Sequence, residues 1–437
     1  MSLKKSVFSR SVELAKMTVK LGLKEIQSGQ LQSRIDQAKI LAQSLSQLKG
    51  AAMKAGQLMS LELADYFPPE AVEILSQLQN NASALPFDDV LRTLIIELGP
   101  QTVEKFQSIQ RVPKASASIA QIHEAYWENQ KLALKIQHPG VAESIDSDLS
   151  VLEGFANTVC LLTQRQMDLK PLFSELREVL KQEVDFEKEA KLLLLYREKL
   201  MTLKKDNEFY FAPNILPSLC TKKVLTMTWE EGDTLTQWLK SKPTVHQKEQ
   251  LAHLILNLYC HEFYDWGLVQ TDPNFSNFLV RPLQEDIGLV LLDFGSTRHY
   301  ERSMIHQYVD LVRTVQEGKP RKILQSAFDF GLLDTREPEE TQQLFVAMMN
   351  LALEPFTLSN FMNKHQSETF DFANSDYAQR SQALVSAFVK NLKYTPPPHR
   401  IIFLHRKLGG IFALLRRLEV KLNLTPYWEM MLEKKGV

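Results

Sequence analysis

The spacing of apolar residues divides the chain into three textures. Residues 1 to about 108 read as helix throughout, with predicted helices over 31–62, over 67–78 behind Pro68 and Pro69, and over 87–99 with a stop at Gly99. In "ASIAQIHEAYWENQKLALKIQ" (117–137) two alternating apolar runs flank "ENQ", the pattern of strand, turn and strand. "PLFSELREVLKQEVDFEKEAKLLLLYREKL" (171–200) returns to helix, and "KKVLTMTWEEG" (222–232) is strand-like again and closes on a glycine. From 245 the helical period dominates, interrupted by two short apolar runs within 267–295 and by the break "TPPPH" at 395–399. The expected architecture is α+β: a helical extension over 1–108, a small sheet with one prominent helix over 109–231, and a large helical lobe over 232–437 that contains a short hairpin.

One stretch of the extension departs from an ordinary amphipathic helix. "QLKGAAMKAGQLMS" (47–60) carries Gly50, Ala51, Ala52, Ala55 and Gly56 in its interior. Each glycine costs a helix roughly 1 kcal/mol relative to alanine, so something must compensate. Lys54 and Gln57 are three apart and share a face.

Composition changes this picture little. At 437 residues the chain is too long for one compact core. A formal charge of −1 gives no basis for nucleic-acid binding, and Cys160, Cys220 and Cys260 have neither CxxC spacing nor a metal-ligand cluster. No run of about 18 uninterrupted apolar residues occurs. The start is more informative: "MSLKKSVFSRSVELAKMTVKLGLK" has six Lys/Arg against one Glu, with apolar residues at helical spacing. Such a segment either lies on an anionic membrane surface or is a solvated terminus, and it lacks the apolar core of a secretory signal.

The candidate chemistry gathers in "QTDPNFSN" and "LLDFG". Asp272 and Asn277 are five apart, and Asp293 follows sixteen later at the end of an apolar run. An Asp-Pro turn or an Asp-Phe-Gly turn alone is unremarkable. In this order and spacing they match phosphotransferases in which a loop Asp orients or deprotonates the acceptor, Asn ligates Mg²⁺, and the Asp of DFG bridges metal to nucleotide phosphates. Upstream, Lys135 lies on an alternating run about twenty residues after the small-residue loop Ala115, Ser116, Ala117 and Ser118. A strand lysine there would contact the α/β-phosphates. Its acidic partner is sought in "EVDFEKEA", where spacing leaves Glu183, Asp185, Glu187 and Glu189 open.

These residues resemble the UbiB-type atypical kinases, whose eukaryotic members support coenzyme Q biosynthesis in mitochondria. The resemblance runs from about 45 to 425. It rests on "KAGQ" (54–57), "KASASIAQIH" (114–123), "LALKIQHPGV" (132–141), "EVD" (183–185), "QTDPNFSNF" (270–278), "LLDFGSTR" (291–298) and "HRKLGGIF" (405–412). It implies a protein-kinase-like bilobal fold with the N-terminal helices packed over the nucleotide cleft. It further implies that Lys54 meets Glu183 and Asp185, that Gln57 points into the same site, and that Lys135 pairs with Glu189. Asn277 and Asp293 would hold Mg²⁺, Asp272 would take the catalytic-base position, and Thr228, Trp229, Glu230 and Glu231 would form the hinge against the adenine of ATP or ADP.

Two features argue against an ordinary protein kinase. The chain turns helical within about ten residues of Asp293, leaving no long activation segment, and Gln270-Thr271 stands where His-Arg would be. The expected function is a Mg-ATP-dependent ATPase supporting ubiquinone biosynthesis at a membrane surface. Its partners would be quinone-biosynthesis enzymes, lipid-like quinone precursors and an anionic membrane, with no nucleic acid and with a homodimer as one option. A small-molecule or lipid phosphotransferase is the alternative, and a nucleotide-gated scaffold the third reading. The start has no convincing transit peptide, which favours the cytoplasmic side of a bacterial inner membrane over the mitochondrial matrix face.

Overall fold

The computed structural model describes residues 54–56, 84–162, 168–203, 207–356, 369–395 and 399–433. The helices expected over 31–62 and 67–78 lie outside these residues apart from 54–56, which are helical. Gln57 and the basic segment 1–24 also lie outside them. Among the described residues no helix is long and apolar enough to cross a membrane.

The chain forms two compact units. One comprises Met1–Glu104, Ile109–His123 and Lys135–Val184; the other comprises Lys105–Ser108, Glu124–Leu134 and Asp185–Val437. Helix α1 (Phe87–Leu98) carries Asp88 and Asp89 in its first turn, where they complement the helix dipole, and buries Val90 and Leu94. Strands β1 (Ser108–Ile109), β2 (Ala115–Ser116), β3 (Ala120–Trp127), β4 (Gln130–Gln137) and β6 (Val224–Thr228) make one sheet in the order β1-β3-β4-β6, with β2 on β3. The β3–β4 hairpin closes through Glu128 and Asn129, both at positive φ (49° and 61°) as a two-residue primed turn requires. Leu132, Leu134 and Ile136 point to the core from one face of β4 and are fully buried.

The helical stretch expected over 171–200 is two helices, α3 (Lys170–Glu183) and α4 (Phe186–Met201). Asp185 leaves the helical conformation (φ −101°, ψ 90°), and its carboxylate accepts the Lys188 N–H as the N-cap of α4. Aspartate serves a helix better in that position than in its interior. Helix α2 (Val141–Leu162) goes beyond the sequence reading. Its buried stripe Val141, Ile145, Leu149, Leu152 and Ala156 has helical spacing, but intervening Ser and Asp residues of low helix propensity obscure it.

In the second unit, a Thr244/Gln247 capping box starts α5 (Val245–Cys260). That helix continues into the π-helical stretch His261–Trp266 and ends at Gly267 (φ +61°), where a Cβ would lie 2.6 Å from the Tyr300 carbonyl oxygen. Short strands follow: β7 (Leu268–Gln270), β8 (Phe278–Leu283), β9 (Asp286–Leu291) and β10 (Thr297–His299). β10 pairs antiparallel with β7, while β9 lies between β8 and the parallel β5 (Tyr210–Phe211). The helices α6 (Arg302–Gln316), α7 (Pro320–Asp329), α8 (Glu339–Leu353), α9 (Tyr377–Asn391), α10 (His399–Leu418) and α11 (Thr425–Glu433) complete it. Helix α6 begins nine residues after Asp293, as the absence of a long activation segment predicts.

Candidate active site

Two strand pairings assemble the polar loop. The β7–β10 register sets Gln270 opposite Thr297, and both the N–H and the hydroxyl of Thr271 donate to the Ser296 carbonyl, at 3.2 and 2.8 Å. The β8–β9 register sets Phe278 opposite Leu291, so Asn277 falls beside Leu292, whose N–H donates to the Asn277 carbonyl at 2.9 Å. Asp272, Asn277 and Asp293 thereby line one pocket, whose walls are mostly apolar: Ile255, Leu258, Leu289, Leu291, Ile411 and Leu414 among them. Asp293 Oδ1 accepts the Gly295 N–H at 2.9 Å, and Asn277 Nδ2 is buried without a hydrogen-bond partner.

The donor set suits Mg²⁺. One carboxylate and one amide are hard oxygen donors, and Mg²⁺ takes few protein ligands because it keeps water and substrate phosphate in its shell. Among the described residues no group of three or more His, Cys, Asp or Glu forms a metal cage.

Beneath the loop lies a buried polar floor that spacing alone did not reveal. Glu262, on the π-helical stretch, accepts the Gln270 N–H at 3.1 Å and the Tyr196 hydroxyl from α4. Lys407 of α10 stands 3.7 Å from Glu262 Oε2 and donates to Gln270 Oε1 at 3.3 Å. Burial holds the Glu262 carboxyl above its usual range, against the opposing pull of Lys407. Burial, with the Glu262 charge second, pushes the Tyr196 hydroxyl upward as well. The Tyr196 ring meets Phe294 of the DFG sequence edge-on at 5.1 Å. From the same α10, Arg406 Nη2 sits 2.8 Å from Asp272 Oδ1, and Gly410 packs so closely on Pro273 that a Cβ would lie 2.2 Å from the proline Cβ. Three of these residues, Arg406, Lys407 and Gly410, belong to "HRKLGGIF", the signal by which they could have been found.

The other candidates are distributed over both units. In the first, Lys54 Nζ is 3.2 Å from Glu183 Oε2, with Glu183 only 5% exposed and Ala55 and Gly56 buried. Lys135 is half-buried on the face of β4 opposite Leu134. Ala115 and Ser116 form the exposed β2, whose turn to β3 is closed by Ala117 N–H on the Ala120 carbonyl at 2.8 Å. Neither these two residues nor Ala117 and Ser118 adopt a positive φ, so the small-residue turn is built without glycine geometry.

In the second unit, Asp185 is the N-cap already described. Glu189 is 1% exposed, whereas Glu187 faces solvent. A Cβ on Gly295 would come within 3.5 Å of Glu189 Oε2 and 3.3 Å of Asp293 Oδ1, which places that carboxylate against the DFG turn. At the end of β6, Thr228 donates to Glu230 Oε1 at 3.0 Å, Arg281 pairs with Glu230 at 2.6 Å, and Lys131 lies 3.4 Å from Glu231. Lys131 also lies over the Trp229 ring, 4.5 Å from its centroid. Glu230 is thereby held in an ion pair, while the N–H groups of Thr228 and Trp229 donate to the Asn214 and Lys131 carbonyls at 2.8 and 3.0 Å.

Comparison with known proteins gives this arrangement a family. A family model described as "ABC1 atypical kinase-like domain" matches residues 77–327. The chain is 30% identical to the mitochondrial atypical kinase coq-8 of Caenorhabditis elegans over 87% of its length. It is 31% identical to the mitochondrial atypical kinase COQ8 of Saccharomyces cerevisiae over 86%. The match spans 49% of the nematode protein and 72% of the yeast one, so the chain corresponds to about half of the former. A solved structure described as the complex of Rv3197 with erythromycin from Mycobacterium tuberculosis has the same fold. The TM-score is 0.59 and the identity 22%, over 98% of this chain and 97% of that one. The fold is α+β and kinase-like, and the chain belongs to the ABC1 atypical kinase family, the UbiB/COQ8 type.

Proposed function

We propose that the chain is a Mg-ATP-dependent ATPase-type atypical kinase that supports ubiquinone biosynthesis at a membrane surface. The observation that carries this reading is the convergence of Asp272, Asn277 and Asp293 on one pocket. Asn277 and Asp293 would hold Mg²⁺, which when bound neutralises charge on the nucleotide phosphates. Lys135 binds phosphate, Thr228 to Glu231 form the hinge against the base, and Asp272 orients the attacking oxygen. Glu189, buried against the DFG turn, is the favoured partner for Lys135 over the exposed Glu187.

Lys54 and Glu183 anchor the small-residue helix that, with Gln57 and Asp185, keeps a peptide acceptor out and so separates this chain from protein kinases. The basic segment 1–24 holds the protein on an anionic membrane, where its partners are quinone-biosynthesis enzymes and lipid-like quinone precursors. The mitochondrial names of the relatives support a mitochondrial location over a bacterial inner membrane.

The test is phosphate release from Mg·ATP by the purified chain, with and without anionic liposomes carrying a quinone-like phenol, and with Asp293→Asn as the blank. Turnover above that blank, raised by the membrane, is the expected result. Equal rates for wild type and blank under both conditions would refute it. The apolar lining beside Asp272 favours a second reading, transfer to a hydroxyl of a lipid-like acceptor. Label moving from γ-labelled ATP into lipid extract, instead of into free phosphate, would select it.

A further inference from the structure

We infer that Arg406 is a positioning residue for Asp272, and that one face of α10 is the template on which the catalytic loop is set. The loop 270–277 reads Gln-Thr-Asp-Pro-Asn-Phe-Ser-Asn and contains no Lys, Arg or His. Its nearest described cation comes from 134 positions further along the chain: Arg406 Nη2 contacts Asp272 Oδ1 at 2.8 Å, with the two side chains 16% and 12% exposed. At that exposure solvent screens the pair weakly.

The contact is one of three made by neighbouring positions of the same helix. Lys407 reaches Gln270, two residues before Asp272, and Gly410 receives Pro273, the residue after it. Positions 406 and 410 are one turn apart and share a face. The loop's own bonds fix only part of Asp272. Thr271 is pinned to Ser296, and the Asn274 N–H donates to Asp272 Oδ1 at a long 3.3 Å. The guanidinium supplies the shorter bond to that oxygen and so selects the direction in which the carboxylate faces the pocket.

This rests on the phosphotransferase reading for its kinetic consequence but not for its structural one, and the test separates the two. Steady-state turnover of Mg·ATP is measured for Arg406→Ala, Arg406→Lys, Asp272→Asn and the Arg406→Ala/Asp272→Asn pair. Amide hydrogen exchange of 268–277 is measured on the same proteins. Misplacing a catalytic group by about 1 Å costs on the order of 10²-fold in rate. Arg406→Ala is expected to lower kcat by that order while KM for ATP changes by less than ~3-fold, the signature of an interaction used in the transition state. Arg406→Lys, which keeps a cation for a single-oxygen contact, recovers most of the loss. In the Asp272→Asn background the Arg406 substitution has little further effect. Exchange of 271–277 accelerates in Arg406→Ala and returns towards wild type in Arg406→Lys, with α10 itself unchanged.

An unchanged or raised kcat in Arg406→Ala, a change confined to KM, or the same loss in both backgrounds would overturn the inference. So would unaltered exchange in the loop. If wild-type turnover does not exceed the Asp293→Asn blank, the proposed function fails and the exchange measurement alone decides the role of Arg406.

Discussion

Two adjacent glycines in α10 have opposite reasons to be there. Gly409 has open space where a Cβ would stand, whereas a Cβ on Gly410 would overlap Pro273 at 2.2 Å. Gly409→Ala is therefore expected to stabilise the chain by about 0.5–1 kcal/mol, the helix-propensity difference. Gly410→Ala should destabilise by about 1–3 kcal/mol through overpacking and displace the loop that carries Asp272. Denaturation midpoints and Mg·ATP turnover of the two variants check this, and equal behaviour would contradict the packing account. The sequence alone does not distinguish the two, because only the tertiary contact tells them apart. Glu262 is legible to the same small degree: its carboxylate lies in an apolar helical stretch, and its partners Tyr196, Gln270 and Lys407 come from three other elements. Burial raises its folded-state pKa above the unfolded value of 4.5. Between those two values the folded state binds the extra proton, so the stability Glu262 contributes is full below the unfolded value and is lost as pH rises through the folded one. Glu262→Gln removes this titration. The stability of the variant minus that of wild type should rise with pH from about pH 4 upward, and a flat difference in chemical unfolding would refute the burial effect.

At the scale of elements, local chemistry explains what the apolar pattern does and does not reveal. The β3–β4 hairpin was readable because alternation and turn agree. "ENQ" falls between two period-2 runs, and Gln107 exchanges two hydrogen bonds with Asn129, at 2.8 and 3.0 Å, to steady the turn. The boundary between α3 and α4 was not readable, because the apolar spacing of 171–200 continues across it. What breaks the helix is a single side-chain bond, Asp185 to the Lys188 N–H at 3.0 Å. That bond separates two roles for Asp185. As a cap it is replaceable by asparagine, and alanine should cost about 1 kcal/mol. As an ionic partner, the role the resemblance implies, it would not be replaceable by asparagine. Asp185→Asn is expected to keep the thermal midpoint of wild type while Asp185→Ala lowers it. If Asp185→Asn falls as far as Asp185→Ala, charge rather than capping is what the position supplies.

At the scale of the whole chain, legibility follows sequence separation. Asp272, Asn277 and Asp293 are legible in the sequence because one strand–loop–hairpin holds all three within twenty-two residues. Lys54 with Glu183, and Arg406 with Asp272, join residues 129 and 134 apart, and charged residues on helices ordinarily face water. Only the resemblance raised the first pair, and neither pair follows from spacing. The interleaving of the two units is hidden for a related reason, since 124–134 and 135–184 are continuous in sequence yet belong to different units. Ligand linkage tests whether the legible part is a working site. A ligand that binds only the folded state stabilises it by about 2.7 kcal/mol at 100 times its Kd, which moves the midpoint of a domain of 150–250 residues by about 5–10 °C at about 2–4 °C per kcal/mol. Mg·ATP should raise the unfolding midpoint of wild type by several degrees, and ATP with a chelator should raise it less. On the proposed function the two conditions should coincide in Asp293→Asn, because the carboxylate proposed to couple metal and nucleotide is gone. A magnesium-dependent increment that survives in Asp293→Asn would place the metal elsewhere and overturn the proposed role of Asp293.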